Sequence, residues 1–444
     1  MQTVQGVAKE HAGRQISPEV YDFDYEALRR GYYSDAYFLN GAIVLEALSR
    51  NGARFAGENT RADVAGLDLA SLDIGDIEAE MQFFTKRRPW SLAAGIDAAI
   101  AILRECTGWF DSDGRFTNTA HTLEIEAVRE GAHLRPWEPA MKARGRYRDF
   151  AAQETTTLGV MARATLVATN VYRTLEAGGG KPLLFFPARF DVHTTQSIDG
   201  YAYKLAVETW NREHNADVEI FISTDAQGKW WGGSGGGTVA HAFVLCFLAD
   251  TAEAMLAFAS HIPPDVRRIA LVDTNNDCVG DSIRAALAYF RRYIDLTERG
   301  DAAEAARYVL YGVRVDTPAR LIDASIGNGG PDDHGVNPKL IRNVREALDG
   351  LHEHGGIPQH QRQAAREFFR NVRIVASSGF DDRRVAGFEK EGAPVDMYGI
   401  GTYFISGSNA FTADIVRVKI CGEWHDMAKV GRWPRRNSAL ERVQ

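Results

Sequence analysis

The hydrophobic pattern changes character near residue 182. Beyond it, short β-branched and aromatic runs (183–186, 218–223, 269–272, 309–315, 372–376 and 395–400) alternate with stretches of helical period near 196–212, 239–260, 279–296, 338–350 with 360–370, and 380–391. Strands that are apolar at nearly every position are buried on both faces, and helices between them serve as crossovers, so the pattern predicts a parallel sheet. Six such units in roughly 220 residues suit a (β/α) barrel or a doubly wound sheet, and the length favours the barrel.

The first part of the chain reads differently. A short helix closed by Gly31 leads to a second helix capped by Ser34 and running to about Ser49, in which Tyr32, Tyr33, Tyr37 and Phe38 read as aromatic core. Alternation at 76–84 and 120–128 predicts strands, Ser91 to Glu105 an apolar helix, and Ala151 to Ala177 a buried helix stopped by Gly178-Gly179-Gly180. The expected division is a leader over 1–17, flexible or extended, an α+β domain over 18–152 and an α/β barrel over 153–404.

At 444 residues the chain is long enough for two domains, and 45% hydrophobic with 25% charged residues is the composition of an ordinary globular protein. A net charge of -8 argues against a nucleic-acid surface while leaving room for a local basic pocket. The four cysteines (Cys106, Cys246, Cys278, Cys421) are widely spaced, so neither a zinc ribbon nor a disulfide framework is indicated. Neither a signal-peptide core nor a membrane-length apolar run is present, and a cytoplasmic location is the expectation.

The chemistry gathers at the strand ends. Just past the six predicted strands stand Arg189 and His193; Thr224 and Asp225; Asp273, Thr274 and Asn275; Arg314 and Asp316; Ser377, Ser378 and Gly379; and Gly399, Gly401 and Thr402. In α/β folds with parallel sheets, catalytic groups collect at this edge. Arg314 and Asp316, two apart on one strand, share a face. The small residues after the last two strands free backbone N–H groups where barrel enzymes hold phosphate.

Between the second and third strands lies Trp230-Trp231-Gly232-Gly233-Ser234-Gly235-Gly236-Gly237-Thr238-Val239-Ala240-His241, with five glycines in six positions. Gly235 to Ala240 fits the G-x-G-x-x-A spacing of a dinucleotide loop, but the lead-in is a poor strand and no new strand end follows about twenty residues on. A flexible loop before a core helix, and a reacting histidine beside a phosphate-handling loop, are the other two readings.

In order, Tyr33-Ser34-Asp35-Ala36-Tyr37-Phe38, Phe186-Pro187-Ala188-Arg189, Ser223-Thr224-Asp225, Gly237-Thr238-Val239-Ala240-His241, Leu271-Val272-Asp273-Thr274, Gly312-Val313-Arg314-Val315-Asp316, Ser377-Ser378-Gly379-Phe380-Asp381 and Tyr398-Gly399-Ile400-Gly401-Thr402 resemble the nicotinate phosphoribosyltransferase family, type II phosphoribosyltransferases related to the nicotinamide enzyme. The resemblance runs from about Tyr21 to Val418, loosely over 54–150. It implies an irregular (β/α) barrel with a second α+β domain built from both chain ends, residues 405–444 returning to the N-terminal domain, in a homodimer with shared active sites.

The implied reaction joins nicotinate and phosphoribosyl pyrophosphate into nicotinate mononucleotide and pyrophosphate in NAD biosynthesis, coupled to ATP hydrolysis through phosphorylated His241, with Mg²⁺. By the same resemblance the partner's Tyr37 and Phe186 sandwich the pyridine, Arg189 meets its carboxylate or a phosphate, and Asp225 contacts the ring or its substituent. Arg314 and Asp316 hold the phosphoribosyl group, Asp316 with Mg²⁺, and Ser378, Gly379, Gly399, Gly401 and Thr402 the 5′-phosphate. Thr238 belongs to the loop that handles ATP or pyrophosphate groups.

Ser378 stands where the nicotinamide-using relative has an acidic residue, and Asp225 would repel a nicotinate carboxylate, which keeps nicotinamide open. Quinolinate phosphoribosyltransferase and a non-catalytic phosphoribosyl-binding relative are the alternatives on the same fold. A Schiff-base lyase or isomerase has little support, since only Lys229, in a loop, lies near a strand end.

Overall fold

The computed structural model describes residues 14, 15, 17–60 and 62–444. The chain divides into two compact units, Met1–Thr169 with Gly407–Gln444, and Asn170–Ser406; the division falls within the long helix Glu154–Ala177. In chain order the strands that matter are β1 (Glu78–Thr85), β2 (Glu124–Ala127), β3 (Pro139–Arg146), β4 (Leu183–Phe185), β5 (Phe221–Ile222), β6 (Ile269–Leu271), β7 (Gly312–Val315), β8 (Arg373–Ala376), β9 (Met397–Ile400), β10 (Phe411–Ile420), β11 (Glu423–Asp426) and β12 (Glu441–Arg442).

The first unit is a six-stranded sheet in the order β11-β10-β1-β3-β2-β12. The C-terminal strand β10 lies antiparallel to β1, from Ala79 opposite Val418 to Thr85 opposite Phe411. One face of the sheet packs on the helix Ile96–Cys106 through Phe83, Ile125, Met141, Ile100 and Leu103, all fully buried. The predicted helix over 91–105 starts later, because Gly95 takes the left-handed conformation at its N-cap and 91–92 form a short strand. Of the predicted strand over 120–128 only β2 remains, preceded by a single 3-10 turn at 120–122.

Two expectations for the N-terminal part change. The leader lies largely outside the described residues, but near its end Arg14 is anchored: it donates to the Asp97 carboxylate at 3.0 Å and to the carbonyl of Ala127 at 2.8 Å. The aromatic residues at 32–37 are not core: Tyr32 is 78% and Tyr37 66% exposed. Their helix, Ala36–Arg50, buries no residue although it is rich in Leu, Ile, Val and Ala. An apolar helix that the described residues of its own chain leave only partly covered is the usual mark of an interface.

The second unit is a parallel sheet in the order β6-β7-β8-β9-β4-β5, with β9 hydrogen-bonded to β4 and no pairing between β5 and β6. It is thus an irregular, open barrel. β4, β6 and β9 are buried at every position, as strands covered on both faces must be. Leu184, Ile269, Val375 and Met397 fill the inside together with Phe186, Phe221 and Tyr311. The single helix predicted for 239–260 is broken in two, His241–Cys246 and Thr251–His261. Between them Leu248 and Ala249 both take positive φ, and Asp250 caps the second helix by accepting from the Glu253 N–H.

Candidate active site

The strand ends of the second unit converge on two joined cavities. The larger, about 850 Å³, is lined by Phe186, Arg189, Gly235–Gly237, Thr238, His241, Arg314 and Asp316 among others. The smaller, about 410 Å³, shares Phe186, Arg189, Arg314 and Asp316 and adds Ser377, Ser378, Gly379, Gly399, Gly401 and Thr402. Of the site residues implied by the resemblance, Phe186, Arg189, Thr238, His241, Arg314, Asp316, Ser378, Gly379, Gly399, Gly401 and Thr402 line these cavities; Tyr37 belongs to the other unit, and Asp225 lines neither cavity, nor do the strand-end residues His193, Thr224, Asp273, Thr274 and Asn275.

Arg314 ties the two cavities together. From the inner end of β7 it donates Nη1 to Thr238 Oγ1 at 2.6 Å, Nε to Ser377 Oγ at 3.1 Å and Nη2 to Asp316 Oδ2 at 2.8 Å, and its guanidinium lies 5.3 Å from the centre of the Phe186 ring. Asp316 also accepts from Ser377 Oγ at 2.6 Å through Oδ1. Two neighbouring strand ends, those of β7 and β8, and the glycine loop are thereby tied together by one planar, always charged group. Arg189 differs: no carboxylate pairs with it among the described residues, and it reaches into both cavities beside Phe186.

The glycine loop is shaped by close approach. A Cβ on Gly228 would lie 1.9 Å from the Gly233 carbonyl oxygen, so the loop folds back upon itself where a side chain has no room. Asp225 accepts from the Gly235 N–H at 2.7 Å, and Gly236 N–H donates to the Ile222 carbonyl at 2.8 Å. Asp225, the first residue of the turn Asp225–Gly228, thus braces the loop through its carboxylate. Gly399 and Gly401 answer to the same constraint, because a Cβ there would stand 2.9 Å from Phe186 and 2.5 Å from Phe190.

His241 opens the helix His241–Cys246, and its Nε2 lies 3.0 Å from Asp273 Oδ2, just past β6. The imidazole is 38% exposed while the Asp273 side chain is 3% exposed. Burial, opposed by the Asp316 charge and aided by Arg314, holds the His241 pKa below its ordinary value. Burial, reinforced by the Asp316 charge, pushes the Asp273 carboxyl up to about 7. Asp273 Oδ1 and Thr274 Oγ1 are buried without partners. Asp273 stood among the strand-end residues; its pairing with His241 across 32 positions had no sequence signal.

Asp316 is committed through both oxygens, to Arg314 and Ser377, and among the described residues no group of three or more His, Cys, Asp or Glu forms a metal site. The donor set therefore does not suit an ion held by protein alone. Among the described residues no helix is long and apolar enough to cross a membrane.

An open parallel barrel whose C-terminal edge carries glycine turns, an arginine-locked acid and a histidine–aspartate pair defines a type II phosphoribosyltransferase fold. The structure is similar to that of nicotinate-nucleotide pyrophosphorylase from Pyrococcus furiosus (TM-score 0.64, 23% identity, covering 95% of this chain and 85% of that one) and of human nicotinic acid phosphoribosyltransferase (TM-score 0.55, 19% identity, 87% and 74%).

Residues 63–165 match the model of the quinolinate phosphoribosyl transferase N-terminal domain. A nicotinate phosphoribosyltransferase of Mycobacterium tuberculosis is 26% identical over 298 residues, 66% of this chain and 52% of that protein, and the human enzyme is 25% identical over 365 residues, 74% and 64%. Over about two thirds to three quarters of its length the chain is thus similar to nicotinate phosphoribosyltransferases. It spans about half the length of the first of these relatives.

Proposed function

We propose that this chain transfers the phosphoribosyl group of phosphoribosyl pyrophosphate to nicotinate, releasing pyrophosphate, and couples the transfer to ATP hydrolysis through phosphorylation of His241. The observation that carries the coupling is the His241–Asp273 contact on the wall of the larger cavity. With Nε2–H donated to Asp273, Nδ1 keeps its lone pair. It attacks the γ-phosphorus of ATP, an N–P bond forms as the bond to ADP breaks, and Asp273 balances the positive charge that appears on the ring. The phosphorylated ring then changes the charge of the cavity wall, which alters substrate and product affinity.

The glycosyl step needs position more than nucleophile activation. The nicotinate nitrogen forms the C–N bond at C1 as the C–O bond to pyrophosphate breaks, with no proton to move. Phe186 offers a face for the ring, and unpaired Arg189 beside it favours a carboxylate over an amide, which supports nicotinate over nicotinamide. Asp225 no longer opposes this, being turned to the Gly235 N–H. The turns at Ser378-Gly379 and Gly399-Gly401 would take the 5′-phosphate, Arg314 and Asp316 the ribose. Mg²⁺, carried by the diphosphate, would neutralise leaving-group charge near Asp316 and Asp273.

The exposed apolar helix Ala36–Arg50 supports a homodimer, with Tyr37 of the partner subunit closing over the pyridine. Two experiments test the reading. Pyrophosphate release with nicotinate, nicotinamide or quinolinate names the base, nicotinate being expected to exceed the others. Labelling with γ-phosphate-labelled ATP should give an acid-labile, base-stable phosphoprotein that His241→Ala abolishes; no label in the unaltered protein overturns the coupling.

A further inference from the structure

The helix Asp382–Lys390 begins directly under the turn that closes the smaller cavity. Ser378 and Gly379 both have positive φ, 77° and 70°, and the N–H groups of Ser378, Gly379 and Phe380 donate to no acceptor among the described residues. Successive free amides across a left-handed turn form a concave anion site. A left-handed serine is strained and persists only when its surroundings impose it.

Arg384 is what imposes it. Its Nη1 donates to the Ser378 carbonyl and its Nη2 to the Val336 carbonyl. The guanidinium is half-buried, stacked 4.3 Å from the centre of the Phe380 ring, and no carboxylate forms an ion pair with it among the described residues. It also sits in the first turn of its helix, where Asp381 caps by accepting from the Arg384 N–H at 2.8 Å and where the helix dipole disfavours a cation. A half-buried positive charge held by two carbonyls and two aromatic faces but by no ion-paired carboxylate among the described residues, at the wrong end of its helix, is short of counter-charge, and such shortfalls gather at functional sites.

We propose that Arg384 is a positioning residue for a sugar phosphate: it holds the Ser378-Gly379 turn with its amides toward the cavity and supplies the charge that a phosphate dianion there completes. Arg384 lines neither cavity and acts through the turn. The inference rests on the phosphoribosyl reading of the site and adds to it a residue outside the strand-end constellation.

The test is calorimetric titration of the full chain with ribose 5-phosphate and with ribose, for the unaltered protein, Arg384→Met and Arg384→Lys, alongside each variant's melting temperature and its KM and kcat. Losing a charged brace predicts about 30-fold weaker ribose 5-phosphate binding in Arg384→Met and about 5-fold in Arg384→Lys, which keeps the charge but not the fork. KM for phosphoribosyl pyrophosphate should rise in step while kcat and nicotinate affinity stay within about twofold, a split that general loosening does not produce.

Ribose 5-phosphate affinity within twofold of the unaltered protein, in whichever variant folds, overturns the role of Arg384 and leaves the phosphoribosyl reading standing. Failure of the unaltered protein to prefer ribose 5-phosphate over ribose overturns both.

Discussion

Replacing Asp273 by Asn isolates the proposed energy-coupling step. The amide keeps the size of the carboxylate and a hydrogen bond to His241 Nε2 but removes its charge. At the observed 3.0 Å separation a positive ring and Asp273 in its ionised form, which predominates above about pH 7, attract by about 5.5 kcal/mol at an effective dielectric of ~20, so the comparison is made at pH of about 8. Because the imidazole is 38% exposed, solvent screening brings this to about 2 kcal/mol, or roughly 30-fold in rate. The charge matters only once the ring becomes positive, in passing to the phosphorylated state. Rapid-quench labelling with γ-labelled ATP at saturating magnesium should therefore be about 30-fold slower in Asp273→Asn. Pyrophosphate release without ATP, at saturating substrates, should remain within twofold. Labelling at the unaltered rate, or equal loss of both activities, refutes the assignment of Asp273 to His241.

Arg189→Ala should raise KM for nicotinate at least tenfold while changing nicotinamide turnover little, measured by initial rates with each base; equal losses would remove the carboxylate role. Gly401→Ala, whose Cβ would stand 2.5 Å from Phe190 Cε2 and 3.0 Å from the Phe186 carbonyl oxygen, should lower stability by about 1–3 kcal/mol in urea and weaken nicotinate binding by displacing Phe186. Mixing Tyr37→Ala with His241→Ala, each nearly inactive alone, should restore up to about a quarter of full activity if sites are shared across a twofold dimer, and none if Tyr37 serves its own chain.

Stability against pH has its own handle in Glu154, whose carboxyl burial, aided by the charges of Asp414 and Asp35, pushes up from 4.5 to about 8. The folded state then binds an extra proton between those values, so unfolding free energy contributed by this group falls as pH rises from about 4.5 to about 8. The fall should be about 2 kcal/mol or more, and Glu154→Gln should flatten it, as read from urea unfolding at pH 5 and pH 9.

Much of the fold was written in local pattern. Runs such as Leu183–Phe186 and Val395–Ile400 are apolar at successive positions, and only a strand covered on both faces needs that, so the parallel sheet and the polar residues at its ends were legible. Arg314 and Asp316 were placed together by the period of a strand alone. What the sequence misjudged depended on neighbours distant in the chain. Tyr32 and Tyr37 have the composition of core, yet the described residues leave them mostly exposed. Asp225 stands at a strand end like its fellows, but the folded-back glycine loop presents the Gly235 N–H to its carboxylate.

The division has one physical cause. Periodicity, capping and glycine spacing act over a few residues, and they determined the elements and the edge of the sheet at which the polar strand-end residues stand. Burial and charge pairing depend on which elements meet. The closure that sets β9 beside β4, the meeting of His241 with Asp273, and the placing of an unpaired Arg384 beneath the Ser378-Gly379 turn were decided by tertiary structure. The glycine-rich loop shows both halves: its flexibility was evident from composition, and its shape came from the carbonyl of Ile222 and the carboxylate of Asp225 that hold it.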